Sequence, residues 1–165
     1  MNPVLIFVLQ FLWFLLAWTA LAVFIVEPKL RDCHDDDAVA IWLAPQLFRV
    51  LGLGLLVPNL SPGMPRSFAV PTALGDSATA VLAVLAIIAL RQRWPRARQA
   101  VWACNLVGTV DLAVALPHAA AIGAARYLEG QWYVPALGVP LIIVSHVLVF
   151  RTLIRRGAGP PRNAA

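Results

Sequence analysis

The stretch Val101–Leu116, VWACNLVGTVDLAVAL, is apolar enough to cross a membrane and yet carries Asn105 and Asp111. A carboxylate in hydrocarbon costs several kcal/mol unless it is paired, hydrated or protonated. Any fold the chain adopts must therefore bring Asp111 a partner. Cys104, Gly108 and Asp111 follow at i, i+4 and i+7, so they form one helical stripe that the partner has to face.

The rest of the chain is built like that stretch. Of its 165 residues, 61% are hydrophobic and 13% charged, about half the charged share of a soluble domain. A soluble fold cannot hide so much apolar surface. The expected class is all-α: a polytopic membrane protein, a bundle of five transmembrane helices with its N-terminus outside and its C-terminus inside. A net charge of +5 would suit a nucleic-acid partner in a soluble protein. Here the arginines cluster at the ends of apolar segments, where they act as topology signals and headgroup contacts. The lipid bilayer is the expected partner, and nucleic acid is not. Cys33 lies in a polar loop and Cys104 in a span, so both are expected to be reduced.

The spans are expected at about 4–26, 38–57, 69–90, 97–116 and 132–154, making one domain over 1–156, with a disordered cytoplasmic tail over 157–165. From Val4 to Val26 the only polar side chains are Gln10 and Thr19. This segment lacks the basic start and the small-x-small site of a cleaved signal peptide, so it reads as the first span. Trp13 and Trp18 lie too deep for an interfacial belt and read as packing or lipid-facing residues. Pro28 is expected to help stop the helix. Next comes EPKLRDCHDDD, whose Asp35–Asp37 run is expected to cap the second helix and suit its positive end. Three adjacent carboxylates cannot all face one ion, so no metal site is assigned beside Cys33 and His34. The second span is interrupted by Pro45 and Gln46, carries Arg49 near its middle, and offers Gly52 and Gly54 for close packing. Pro58–Pro71 reads as a loop. In the third span Thr72, Asp76, Thr79, Ala80 and Ala83 form a small, polar-leaning face of the kind that packs against other helices. Pro135, Gly138 and Pro140 interrupt the fifth span, which holds His146.

Orientation follows from the basic residues. Arg91, Arg93, Arg96 and Arg98 crowd the loop between spans three and four. If that loop and the C-terminus are cytoplasmic, ten of the 13 basic residues lie inside, Arg66 and Arg126 lie outside, and Arg49 is in the membrane.

Depth then suggests which buried groups meet. At about 1.5 Å per residue, Arg49 lies roughly 12 Å and Asp76 roughly 10 Å from the outer ends of consecutive antiparallel helices, which predicts an ion pair. Asp111, at roughly 8 Å, falls within reach of the same cluster. One arginine facing two carboxylates leaves net negative charge, so either one aspartate is protonated or a cation or basic ligand completes the site. Asn105 and His146 form a second, inner pair, each roughly 12 Å from the cytoplasmic face. Pro140 can open helix carbonyls beside them. The two groups together would make a polar path through the bundle.

Named chemistries find little here. A bis-histidine haem needs two facing histidines, and His118 and His146 lie at opposite depths. The sequence has no H-E-x-x-H zinc motif, no Gly-x-Ser-x-Gly elbow and no glycine-rich nucleotide loop. Ser145 adjoins His146, but neighbours on a helix point about 100° apart. The sequence thus assigns no catalytic residue, no metal and no cofactor.

Gln46 with Arg49, Gly75-Asp76, Asn105 with Gly108 and Asp111, and Pro140 with His146 occur in an order that resembles a family of small bacterial multi-span membrane proteins. The resemblance runs from about Gln46 to Leu153. It implies a bacterial inner-membrane location and carries no assigned activity.

The expected function is a buried polar site of Gln46, Arg49, Asp76, Asn105, Asp111 and His146 that binds or moves a small ligand, ion or proton. The alternatives are a structural or accessory subunit of a larger membrane complex, and a membrane-embedded enzyme acting on a lipid or quinone-like substrate. Five helices hardly enclose a wide conduit, so a pore would need a homo-oligomer or a partner.

Overall fold

The computed structural model describes residues 2–157, and within them the chain is all-helical. Five helices are long and apolar enough to cross a membrane: α1 (Pro3–Leu30), α2 (Asp35–Leu56), α3 (Arg66–Arg91), α4 (Ala97–Ile122) and α5 (Val134–Arg155, continuing to Gly157). The proposed tail over 157–165 falls outside the described residues, apart from Gly157, which ends α5.

α1 begins with the Asn2 side chain accepting from the Val4 amide, 3.0 Å away, and with Pro3 in the first turn, where no N–H is missed. Pro28 does not stop it. The helix widens into a π turn at Ala22–Val26, in which the Glu27 amide reaches back to the Ala22 carbonyl. A π turn holds one extra residue, and this takes up the mismatch created by a residue without an N–H. The start of α2 also differs from expectation. His34, not an aspartate, is the cap: its ring accepts from the Asp36 amide at 3.3 Å, and Asp35–Asp37 occupy the first helical turn. There their charge still faces the positive helix end.

From Ala44 to Leu56, α2 is a 3-10 helix. Pro45 lacks the donor that an α-helix would need there. A 3-10 helix has three residues per turn, so positions i, i+3 and i+6 stack on one face. Its buried residues are Gln46, Arg49 and Gly52, which follow that spacing. In an α-helix the same three would drift around the axis by about 60° per step.

α3 starts at Arg66, inside the expected loop, and takes Pro71 into its second turn. α4 passes Leu116 and Pro117 and ends at Ile122, where Gly123 adopts a left-handed conformation at φ 63°. Its amide pairs with the Ala119 and Ala120 carbonyls, so glycine rather than proline sets the stop. α3 is central. Ala73, Ala80, Ala83, Ala86 and Ala89 are all buried on it, and these small side chains let α2 and α4 approach closely. Beyond them the core holds Val39 and Leu43 of α2, Val101 and Cys104 of α4, and Val149 and Leu153 of α5.

Polar ties fix the outer elements. Arg151 donates to both Glu27 carboxylate oxygens at 2.7 and 2.8 Å, Arg91 pairs with Asp37, and Arg98 donates to the Leu153 carbonyl at 2.8 Å. All three lie at the end of the bundle that gathers Lys29, Arg31 and the arginines between α3 and α4. The opposite end carries Arg66 and Arg126. Along α1, the Trp18 indole donates to the Leu137 carbonyl at 3.1 Å, within the π turn Val134–Gly138 that opens α5. The Trp132 indole donates to Gln10 Oε1 at 2.6 Å. Trp18 and Gln10 thus hold α1, none of whose residues from Pro3 to Leu21 is buried.

This last contact generates a prediction. Trp132→Phe leaves Gln10 Oε1 without its donor and is expected to lower stability in detergent by about 1 kcal/mol. Adding Gln10→Leu removes both partners and should restore most of that loss in the unfolding midpoint.

Candidate functional site

Arg49 is the focus. Its side chain is completely inaccessible, yet it keeps its polar contacts. Nε donates to Asp76 Oδ1 on α3 at 2.8 Å. Nη2 donates to Asp111 Oδ2 on α4. Nη1 donates to the Gly108 carbonyl at 3.1 Å and faces His146 Nε2 on α5 at 3.3 Å. One guanidinium therefore joins α2 to every other helix that packs against the centre.

His146 continues the network. Its Nδ1 lies 2.6 Å from Asn105 Oδ1, while Asn105 Nδ2 donates to the His146 carbonyl at 3.2 Å. Since Nε2 faces a cation that can only donate, it must be the acceptor, and the ring proton belongs on Nδ1. The expected division into an outer acidic–basic group and a separate inner His–Asn group is therefore corrected. They are one continuous chain from Asn105 through His146 and Arg49 to the two aspartates. The depths change for the same reason as the helix ends. With α3 starting at Arg66 and α4 ending at Ile122, Asp76 and Asp111 lie about 15 and 17 Å from those ends, and Arg49 lies about 14 Å along the 3-10 helix from Leu56. The three remain level, nearer the middle of the bundle.

Gln46 sits one 3-10 turn before Arg49, and its amide hydrogen bonds go to α5 instead. Gln46 Nε2 donates to Ser145 Oγ at 2.8 Å, and Ser145 in turn donates to the Trp42 carbonyl. This brace ties α2 to α5 beside the ion network. The Ser145 hydroxyl proton is committed to it, which removes Ser145 as a partner for His146. Among the described residues, no three of the His, Cys, Asp and Glu side chains converge as metal ligands do.

Each group has its own seat. A Cβ at Gly52 would overlap the Asp76 carboxylate, one at Gly75 the Asp111 carboxylate, and one at Gly54 the Gln131 amide. A Cβ at Gly108 would lie 2.7 Å from both His146 Cε1 and Thr79 Cγ2. The glycines are what let charged side chains lie flat against neighbouring helices at this depth. Sequence reading saw Gly52 and Gly54 as a packing surface and Gly108 as part of a stripe. It missed the pairing of each glycine with one polar side chain, because that pairing exists only across helices. It also missed Gln131, which looks like an ordinary loop residue.

The two carboxylates border a cavity of about 800 Å³. Its walls come from α1, the 3-10 half of α2, α3, α4 and the start of α5, and are mostly apolar. Asp76 and Asp111 bring charge to it, with Thr72, Gln131 and Tyr133 as further polar side chains, and Arg49 lies just behind the carboxylates. The volume falls within the range of about 300 to 1,000 Å³ usual for small-molecule sites. Asn105, His146 and Gln46 stand behind Arg49, outside the cavity wall.

The seats can be tested against a glycine that has no such duty. Gly75→Ala is expected to cost about 1–3 kcal/mol by driving a methyl into Asp111. Gly138 has nothing within 4 Å of its would-be Cβ and does not hold a positive φ. Gly138→Ala should therefore be neutral or stabilise by about 0.4–1 kcal/mol. Thermal unfolding of the two variants in one detergent reads the contrast.

No curated protein and no solved structure matches the chain. A family model does, over residues 6–154, which take in all five helices and every residue of the ion network. The chain belongs to that family, described as a domain of unknown function (DUF8737).

Proposed function

We propose that the chain is an integral membrane protein of the bacterial inner membrane, N-terminus outside and C-terminus inside, whose buried polar site binds or moves a small ligand, ion or proton. The observation that carries this reading is the placement of Asp76 and Asp111. Both are bound to a fully buried Arg49, and both still border a cavity of about 800 Å³. Groups that serve only to glue helices together have no need of a cavity at their side. Ionisable groups held at mid-depth in apolar helices mark binding or transfer sites more often than packing. The orientation is supported by the charge asymmetry between the two ends of the bundle.

The accessory-subunit reading has one observation in its favour. α1 presents Leu5, Leu9, Leu12, Trp13 and Leu16 on an exposed apolar face, which suits lipid or a partner subunit equally. An enzyme acting on a lipid or quinone-like substrate would need an opening lined by both Asp111 and His146. The cavity wall includes Asp111 and leaves out His146.

Native mass spectrometry of protein extracted gently from its own membrane tests the main reading. A retained small molecule or ion that disappears in Asp111→Asn is the expected result. A wild-type protein that carries only a partner subunit, unchanged by the substitution, would favour the accessory role. Orientation has a built-in reporter: Cys33 is exposed in the first loop and Cys104 is buried. A membrane-impermeant maleimide should label Cys33 in inside-out vesicles and leave right-side-out vesicles unlabelled.

A further inference from the structure

The geometry points to a hydrophobic organic cation as the ligand of this cavity, an inference that rests on the binding-site reading above. What decides the class is which atoms of the ion network face the cavity. The guanidinium is wholly hidden, whereas the Asp76 and Asp111 side chains keep 18% and 15% of their surface. The positive charge is behind and the negative charges are in front. One guanidinium against two carboxylates leaves a formal charge of −1, and none of the other residues lining the cavity is charged. An anionic ligand would meet carboxylate oxygens before it met Arg49.

Gln131 adds an independent observation. It is 5% exposed and borders the cavity, and its side-chain Oε1 has no hydrogen-bond partner, although that atom is itself covered rather than open to the cavity. Its Nε2 lies 3.5 Å from the Leu51 carbonyl, which favours the amide nitrogen on that side. The unpaired end is thus an acceptor, the same polarity as the two carboxylates. Gly54 seats the Gln131 amide through its Nε2, and Gly52 seats Asp76.

The apolar part of the wall fits the same class. Phe7, Phe11, Trp18, Phe48, Phe68 and Tyr133 line the cavity. Aromatic faces carry negative charge density and attract organic cations, most strongly where water is excluded. Two carboxylates and several aromatic rings in one largely apolar wall suit a positive centre inside an apolar body. The two carboxylates repel a phosphate or carboxylate.

The test compares two ions of the same shape and opposite charge, tetraphenylphosphonium and tetraphenylborate, by equilibrium dialysis against the full chain in detergent. Saturable binding of the phosphonium and no saturable binding of the borate is the expected result. Asp111→Asn should weaken the phosphonium at least tenfold. Because that variant loses an ion-pair partner and could fail to fold, Ala115→Phe provides a second arm. Ala115 lies one turn beyond Asp111 on α4, lines the cavity and takes no part in the ion network. Filling the cavity there should abolish phosphonium binding in a protein that still elutes as a folded species. Unchanged phosphonium affinity in a folded Ala115→Phe overturns the inference, because the cation would then bind elsewhere. Saturable binding of the borate overturns the cation class and leaves a ligand site standing. If neither ion saturates, the inference falls alone where native mass spectrometry still finds an Asp111-dependent ligand. Where that spectrum is empty too, the functional reading falls with it.

Discussion

The interaction on which the rest of the structure depends is the enclosure of Arg49. A guanidinium removed completely from solvent gives up several kcal/mol of hydration, and attraction offsets this only where geometry is good and its N–H groups are filled. Here two carboxylates, one backbone carbonyl and one imidazole nitrogen fill them from three different helices. Each of those acceptors has to be brought within about 3 Å, which fixes the separation and rotation of α2, α3, α4 and α5 together. Apolar packing alone would not do this. Helices covered in Leu, Val and Ala slide past one another at little cost, and α1, which gives no hydrogen bond to the network, is held by indole hydrogen bonds and by the Glu27–Arg151 pair.

The 3-10 half of α2 follows from that demand. Three residues per turn give poorer hydrogen-bond geometry than an α-helix, and long 3-10 runs are uncommon. The run persists here because it aligns Gln46, Arg49 and Gly52 in one line facing α3 and α5. Gln46 takes Ser145, Arg49 takes the ion network, and Gly52 makes room for Asp76. An α-helical α2 would rotate at least one of the three away from the bundle. The tertiary contacts therefore choose the local conformation, with Pro45 removing the donor that would have favoured the alternative.

This explains which features were legible in the sequence. The helices were legible because hydropathy over some twenty residues measures transfer into an apolar phase, whatever the neighbours. The Arg49–Asp76 pair was legible because a buried charge demands an opposite charge and consecutive antiparallel helices offer few at equal depth. The helix ends were not, since Pro117 and Pro71 read as breakers and are instead absorbed within long helices. Nor was the junction of His146 with Arg49. A depth estimate assumes ideal rise and a known helix end, and both failed: α2 rises faster along its 3-10 half, and α4 is a turn and a half longer than expected. The glycine seats and Gln131 were illegible for a different reason. A glycine in a span is compatible with packing, a bend or a seat, and only the residue across from it decides which.

The irregular backbone and the cavity occupy the same place, and one constraint accounts for both. The 3-10 half of α2 and the π turn Val134–Gly138 both border the cavity, through Pro45, Leu51, Gly52, Leu55, Pro135 and Gly138. In a chain that spans a bilayer, as proposed, lipid offers no partner to a backbone group freed by a proline or a widened turn. Such irregularity is tolerated only against protein or a polar cavity. Trp18 donates to one carbonyl of that turn, that of Leu137, and lines the cavity beside it. The bends that leave the cavity open thus also bring polar backbone close to it. The helix distortions and the charged lining thus share one place, because an apolar bundle tolerates irregular backbone and charged side chains only where protein or a cavity meets them.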